Sequence, residues 1–131
     1  MRGLLADTSI FIAREQGRPL PSMISGPVRV SVMTLTELRI GVLRAADAQT
    51  RHWRTRTLDE ARTLVPLPYD ERVGERLADI VAAAREKRRR AGLADAIVAA
   101  TALAYDLVVW TQDDDFEVLA DLEPALRVHR S

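Results

Sequence analysis

Short apolar runs alternate with longer segments of helical periodicity along the whole chain. Runs of a few mostly apolar residues predict strands, whereas apolar positions at spacings of three and four predict amphipathic helices. The predicted strands are residues 4–6, 28–32, 64–67 and 107–110, with a fifth candidate at 126–129. The predicted helices begin at the apolar run 10–12 and then occupy 34–46, 48–62, 73–84 with the charged run 85–90 at its end, and 95–105.

Proline and glycine mark the breaks between these segments. Pro19, Pro21 and the pair Gly26–Pro27 punctuate the connection between the first helix and the second strand, and Gly92 separates the last two helices. Strands that alternate with helices in this way pair in parallel, because each helix carries the chain back across one face of the sheet. The predicted fold class is therefore α/β, with helices on both faces of a parallel sheet.

Four acidic residues stand at the edges of these predicted elements. Asp7 and Asp113 directly follow strands. Glu37 lies one turn into the helix after the second strand, and Asp95 opens an alanine-rich helix that is apolar almost all round. In open parallel sheets functional groups gather beyond the carboxyl ends of the strands, so the four carboxylates are expected to share one site. Such a cluster repels itself unless a hard cation such as Mg²⁺ or Mn²⁺ lies among its oxygens. The pattern indicates a metal-dependent phosphodiesterase, with a ribonuclease as the leading candidate.

Each of these residues also has an ordinary structural explanation. Thr34 and Glu37 match a capping box, in which a glutamate bonds back to the backbone of the capping residue. Asp7 fits an N-cap, Asp113 an Asx turn, and Asp95 a favourable charge at a helix N-terminus. A carboxylate at the head of a buried helix, however, would protonate or destabilise the fold without a cation. We therefore favour the joint functional interpretation.

The run Asp113–Asp115 adds further carboxylates to the last of these positions. Side chains two positions apart in an extended segment point the same way, so Asp113 and Asp115 are expected to face the site and Asp114 to face solvent. Thr111 is expected to hydrogen-bond a carboxylate and orient it. A threonine of high strand propensity explains the same position almost as well.

Composition limits the remaining classes. With 131 residues the chain is predicted to form one domain, residues 1–131, and no apolar run approaches the ~20 residues of a membrane span. There is no cysteine, which excludes disulfides, thiolate metal sites and cysteine nucleophiles. Together with the lack of a signal sequence, this fits the cytoplasm. The two histidines, His52 and His129, lie outside every motif, so histidine-based RNA cleavage is not expected.

Three other classes that use an aspartate or a serine near a strand end fail on the sequence. A haloacid-dehalogenase-type phosphatase needs a second aspartate two positions after the first, where this chain has Ser9. A receiver domain needs a lysine after a late strand, but Lys87, the only lysine, lies in a charged helix. A serine hydrolase needs the G-x-S-x-G turn, which does not occur.

Arginine supplies nearly all the positive charge of a chain whose formal net charge is zero. Its planar fork binds phosphate and its plane stacks on bases. Arg51, Arg54 and Arg56, interleaved with His52 and Trp53, are candidates for RNA binding, and the run 85–90 offers a second set. A genome rich in G and C explains the arginine bias equally well, and a charged helix end is more often a solvated face.

In order and spacing, the segments DTS, TELRIG, LADAIVAATA and TQDDDF resemble those of the PIN-domain ribonucleases. The length is similar to that of the VapC toxins of bacterial toxin–antitoxin pairs, and the resemblance covers essentially the whole chain. It implies a three-layer α/β/α sandwich around a parallel sheet of about four to five strands. It further implies RNA cleavage with Mg²⁺ or Mn²⁺, a homodimer, and inhibition by a small partner antitoxin.

The resemblance also assigns roles to single residues. Asp7, Glu37, Asp95 and Asp113 match the family's catalytic acidic quartet, and Asp115 matches an additional acidic position. As a hypothesis, Asp7, Asp95, Asp113 and Asp115 hold metal, and a metal-activated water attacks the scissile phosphate. Glu37 orients or deprotonates that water. The alternative is a PIN-like module that keeps the fold but serves as a catalytically inactive binding or scaffold protein.

Overall fold

The computed structural model describes residues 3–20 and 26–131, which contain five strands and six helices. Pro21 of the predicted connection lies outside the described residues. The strands are β1 (Leu4–Ala6), β2 (Val28–Ser31), β3 (Pro66–Leu67), β4 (Val108–Thr111) and β5 (Val128–Arg130). The helices are α1 (Thr8–Glu15), α2 (Val32–Leu43), α3 (Ala48–Arg62), α4 (Glu71–Glu86), α5 (Leu93–Ala104) and α6 (Asp115–Leu122). None of these helices is long and apolar enough to cross a membrane.

All five strands pair in parallel, in the order β3-β2-β1-β4-β5. The chain runs outward from β1 to β3, then returns to the other side of β1 with β4 and continues to β5. β1 therefore lies between two neighbours, and Leu4 stands opposite both Val28 and Val108. Because the strand order reverses between β1 and β4, a crevice opens beyond the carboxyl ends of these two strands.

Helices cover both faces of this sheet and enclose two apolar cores. One core joins Ala6 and Val30 of the sheet to α1, α2 and α3. The other core joins Leu5 and Val109 to α4, α5 and α6. Since both faces of β1 are covered, its three residues are between 0% and 2% exposed. The prediction of an α/β/α sandwich around a parallel sheet is confirmed.

The alanine-rich helix α5 is buried along half its length, as its composition predicts. Its buried residues are Ala96, Val98, Ala99, Ala100, Thr101 and Ala102. Most of these side chains are methyl groups, so the helix axis can lie close to α4 on one side and β4 on the other. α5 begins two residues earlier than predicted, with Gly92 as its N-cap residue, and this places Asp95 in the first turn. Asp95 therefore stands at the end of the helix that meets the crevice.

The start of α2 differs from the sequence prediction. The helix begins at Val32 rather than Thr34, because the Ser31 side chain at the end of β2 accepts a hydrogen bond from Thr34 N at 3.1 Å and caps the helix. Thr34 is fully buried inside the first turn and Ser31 is the N-cap residue, so the capping box that was the alternative explanation for Thr34 and Glu37 does not form. Glu37 instead lies in the second turn, where its carboxylate is free of any capping role. The helix ends at Leu43, three residues before its predicted end.

The helix α6 was not predicted. The acidic run before it is typical of a loop, yet Phe116, Leu119 and Leu122 recur at helical spacing and are at most 4% exposed. These side chains pack beneath the end of the sheet, and their burial outweighs the poor helix propensity of the aspartates. Trp110, in the strand predicted over residues 107–110, is partly buried, and its indole N–H donates to Ser131 Oγ at 2.8 Å.

We expect Ser31→Ala to destabilise the protein by about 1 kcal/mol, because it removes the cap of α2. Ser31 is only 1% exposed, so no water replaces the lost oxygen. Urea denaturation followed by circular dichroism measures the change in the free energy of unfolding. Thr36→Ala is the matched control: its hydroxyl bonds Val32 O on an exposed helix face, and its loss should change stability by less than about 0.5 kcal/mol. Equal stability of the Ser31 variant and the control would contradict the assigned cap.

Candidate active site at the carboxyl edge of the sheet

An open pocket of about 360 Å³ lies at the crevice between β1 and β4. Its walls come from α1 and the turn after it, from α2, from the first turn of α5 and from the segment after β4. The residues that line it are Asp7, Thr8, Ser9, Ile12, Arg18, Glu37, Asp95, Asp113 and Asp115. The structure thus brings the four carboxylates of the predicted quartet and Asp115 to one place.

Asp7 is the most constrained of these carboxylates. It follows β1 directly, is 2% exposed, and its side chain caps α1 by accepting from Ser9 N at 3.3 Å. Its Oδ2 also accepts from Ser9 Oγ at 2.9 Å and from Thr111 Oγ1 at 3.0 Å. Its Oδ1 accepts no hydrogen bond from residues 3–20 or 26–131. The N-cap explanation of Asp7 is therefore correct, and it is compatible with a second role for the other oxygen.

Two buried hydroxyl groups hold this carboxylate against the end of β4. Ser9 Oγ lies 3.1 Å from Thr111 Oγ1 and also accepts from Gln112 N at 2.9 Å. Thr111 Oγ1 accepts from Asp113 N at 3.0 Å. The two side chains tie α1 to the segment that carries Asp113, and so fix the distance between the two acidic residues. Sequence reasoning missed Ser9, although its place in the segment DTS, two residues after Asp7, was the available signal.

Glu37 reaches the pocket from the second turn of α2. Its Oε1 accepts a hydrogen bond from Thr8 Oγ1 at 2.7 Å, and the side chain is partly buried. Thr8 is the first residue of α1, so the bond joins the starts of two helices that lie on the same face of the sheet. Thr8 is a further pocket residue that the sequence did not single out.

The pKa of Asp95 is raised by burial and by the other carboxylates of the pocket. Burial raises its pKa from about 3.8 to about 6, and the charges of Asp7, Asp115, Glu37 and Asp113 act in the same direction. A carboxyl group whose pKa is raised by several like charges lies close to all of them. The raised pKa of Asp95 therefore follows from its burial within a single acidic cluster.

The segment after β4 divides its three aspartates as predicted. Asp113 and Asp115 line the pocket, whereas Asp114 forms an ion pair with Arg130 on β5. Partial burial, followed by the charges of Asp7 and Asp115, raises the pKa of Asp113. Arg18 and Arg130 oppose that change. Arg18 follows the left-handed Gly17 and is the only cationic side chain among the described residues that line the pocket; it was not identified from the sequence.

The donor set of the pocket suits a hard divalent cation, because five carboxylates provide only oxygen ligands. Burial raises the pKa of Asp95 and of Asp113, and repulsion from neighbouring carboxylates adds to the rise; a cation in the pocket would offset that repulsion. Across the described ranges, however, no three histidine or acidic side chains converge into a ready-made metal cage. The residues fit a cation by chemistry and by available space, while the ligand geometry is not preformed.

The arginines predicted to bind RNA lie on α3 and do not line the acidic pocket. Arg54 Nη1 donates to Gly41 O at 2.7 Å and lines a neighbouring cleft of about 540 Å³ that shares Thr8, Ile12 and Glu37 with the pocket. Arg56 stacks on the ring of Trp53. Arg51 is exposed. Their RNA-binding role stays a prediction.

Residues 4–122 match the PIN domain family, a stretch that contains all five pocket carboxylates. The chain belongs to the PIN-domain family.

Proteins with similar sequences and structures identify the subgroup of the PIN-domain family to which the chain belongs. Ribonuclease VapC4 of Mycobacterium tuberculosis is 40% identical over 124 residues, which are 94% of this chain and 95% of that protein. Ribonuclease VapC5 of the same organism is 41% identical over 114 residues, 86% of this chain and 84% of that protein. The crystal structure of VapBC-5 from M. tuberculosis, a member of the VapBC family of toxin-antitoxin systems, matches with a TM-score of 0.89 at 34% identity and covers 100% of both chains. Within the PIN-domain family, the chain falls among the VapC ribonucleases.

We expect Asp95→Asn to raise the melting temperature of the protein at pH 7.5 in the presence of a chelator. The folded-state pKa of Asp95 lies above its usual value, so its contribution to stability is fully present below about pH 3.8 and is lost as the pH rises through about 6. At pH 7.5 the charged carboxylate is therefore a cost that the amide does not carry, and at pH 5 the difference should shrink.

Differential scanning fluorimetry at the two pH values measures this effect. Asp79→Asn, on the exposed face of α4, removes the same charge outside the pocket and should leave the melting temperature nearly unchanged. A lower melting temperature of the Asp95 variant at both pH values would show that the carboxylate makes a net stabilising contact instead.

Proposed function

We propose that the protein is a divalent-metal-dependent endoribonuclease and acts as the toxin of a toxin–antitoxin pair. The observation that carries the proposal is the pocket at the strand-order reversal, which five carboxylates from four separate segments line. Clustered carboxylates repel one another and lower the stability of a fold, so such a cluster is expected mainly at functional sites. The relatives named as VapC ribonucleases support the same activity.

In this proposal, four aspartates bind the metal ion and two hydroxyl side chains position one of them. Asp7, Asp95, Asp113 and Asp115 hold Mg²⁺ or Mn²⁺, with Asp7 kept in place by Ser9 and Thr111. The bound cation supplies activation of water and neutralisation of the charge that develops on phosphate. Its preference for oxygen ligands and retained waters suits an open carboxylate pocket.

Glu37 is the residue best placed to move a proton. Thr8 Oγ1 donates a hydrogen bond to Oε1 of Glu37 and fixes that oxygen. The Glu37 side chain lines the pocket. In that position Glu37 orients the attacking water and accepts its proton. Arg18 lines the same pocket and its charge acts on Asp113, so it is suited to meet a phosphate of the substrate.

The partners proposed here are an RNA substrate, a small antitoxin and a second copy of the chain. The VapBC-5 structure belongs to a family of toxin-antitoxin systems, which supports an antitoxin as a partner of this chain. Exposed apolar side chains on α2 and α3, with Ile40, Leu43 and Trp53 at 46% to 57% exposure, give such a partner apolar surface to cover. A cytoplasmic location, where RNA is present, belongs to the same proposal.

RNA cleavage by purified protein tests the activity. Asp7→Asn and Asp113→Asn should each reduce the rate of cleavage of total RNA in Mn²⁺ by at least about 100-fold, because a missing ligand weakens electrostatic stabilisation of the transition state. The amide at position 7 can still accept the bonds from Ser9 and Thr111, so the fold should survive. Gel electrophoresis of end-labelled RNA measures the rates.

Asp114→Asn is the matched control for Asp113→Asn. It removes the same charge one residue away, but Asp114 pairs with Arg130 and does not line the pocket, so cleavage should stay within about threefold of the wild type, as for a surface substitution. Full activity of a folded Asp7 or Asp113 variant, or a wild type that is equally active in chelator, would reject the mechanism.

Metal binding separates the nuclease from an inactive scaffold of the same fold. The described residues hold no preformed cage, but Mn²⁺ that binds the folded pocket should stabilise it by about 2.7 kcal/mol at 100 times its dissociation constant. Thermal melting with and without millimolar Mn²⁺ measures this shift, and Asp95→Asn should reduce it. An unchanged melting temperature would favour the scaffold.

A further inference from the structure

A second cleft lies beside the acidic pocket, between the end of α4 and the start of α5. It has a volume of about 480 Å³. The described residues that line it are Ile80, Val81, Ala84, Arg85, Arg89, Arg90, Ala91, Gly92, Leu93 and Ala96. None of them is acidic. The floor is apolar, and three arginines stand along the rim.

The rim belongs to the most basic segment of the chain. Residues 85–90 contain four arginines and one lysine against one glutamate, a net charge of +4 within a chain of zero net charge. All six side chains are exposed. Arg89 lies 3.6 Å from Asp121, but an exposed pair of this kind contributes little and competes weakly with another anion. The segment is therefore a local binding site for negative charge.

The cleft and the acidic pocket adjoin at the N-terminus of α5. Gly92 lines the cleft, and a Cβ built at Gly92 would lie 3.7 Å from Oδ2 of Asp95, which lines the acidic pocket. Leu93, also in the cleft, is 64% exposed although it is apolar. A ligand that leaves the acidic pocket across Gly92 would therefore pass directly onto Leu93 and the arginine rim.

We propose that this cleft is a subsite for the RNA strand next to the scissile phosphate, with Arg89 and Arg90 on the backbone phosphates and the apolar floor around Leu93 against a base. The proposal rests on the nuclease function proposed above. Arginine combines bidentate phosphate binding with stacking on bases, and apolar side chains at a basic groove suit unpaired nucleotides. A second copy of the chain is a poorer occupant, because a symmetric contact would place two segments of charge +4 against each other.

The test measures RNA binding separately from cleavage. A fluorescein-labelled single-stranded RNA of about 12 nucleotides, within the range of known single-strand sites, is titrated in an Asp7→Asn background in chelator at several KCl concentrations. Adding Arg89→Gln and Arg90→Gln should weaken binding about tenfold at low salt and reduce the slope of log K against log salt by about 1.4, the value for two lost phosphate contacts. Arg62→Gln with Arg76→Gln, two exposed arginines outside the cleft, is the control of equal charge and should leave the slope nearly unchanged.

A second variant tests the apolar floor. Leu93→Ser should weaken RNA binding without changing the salt slope, because it removes an apolar contact and no charge. Circular dichroism verifies that each variant is folded. Unaltered affinity of the Leu93 variant would overturn the base contact, and equal slopes for the two double-arginine variants would overturn the phosphate contacts.

The remaining outcomes separate this subsite from the function on which it rests. Light scattering of the Arg89 and Arg90 variant without RNA tests the second copy: a changed association state with an unchanged RNA slope would assign the cleft to a protein interface and overturn the proposal. Wild-type protein that cleaves RNA, combined with equal slopes, would reject the subsite and keep the nuclease. Wild-type protein that neither binds nor cleaves RNA would reject both.

Discussion

The hydrogen bonds that converge on one oxygen of Asp7 are the interaction on which the site depends. Ser9 at the start of α1 and Thr111 at the end of β4 both donate to Oδ2, although 102 residues separate them. One carboxylate thus caps a helix, joins two segments across the strand-order reversal and keeps its other oxygen for the pocket. Structural and functional explanations of a capping aspartate are therefore not alternatives in this protein. The bonds stabilise the place where the negative charge is concentrated, which offsets part of the repulsion.

The sequence predicted the fold better than it predicted the details of the site. β1 and α3 have their predicted bounds, since an apolar strand before a capping aspartate and a polar helix flanked by caps are local signals. α2 and α6 differ because their limits depend on tertiary contacts: Ser31 caps one, and buried Phe116 holds the other in spite of its aspartates. The carboxylates were identifiable because topology brings strand ends together. Ser9, Thr8 and Arg18 were not, because a hydroxyl or an arginine near a turn has no distinguishing pattern until its partners are known.

The zero net charge of the chain conceals a separation of charge over a short distance. Five carboxylates share one pocket, and the basic segment 85–90 begins on the other side of Gly92. Burial and the like charges of the first group raise the pKa of Asp95, whereas the second group is solvated. In the proposed nuclease, these two charge groups would attract cations to the acidic pocket and RNA to the basic segment beside it.

The central position of β1 has a consequence for how the protein is made. During synthesis β1 has to wait for β4, about one hundred positions later, before its second edge is covered and Thr111 can meet Asp7. Contacts of such long range form late, because the entropy of closing the intervening loop opposes them. A nascent chain that stops short of residue 111 can fold parts of α1 to α5, but it cannot complete the acidic pocket. Translation therefore delivers the two sides of the site, Asp7 and Thr111, about one hundred residues apart.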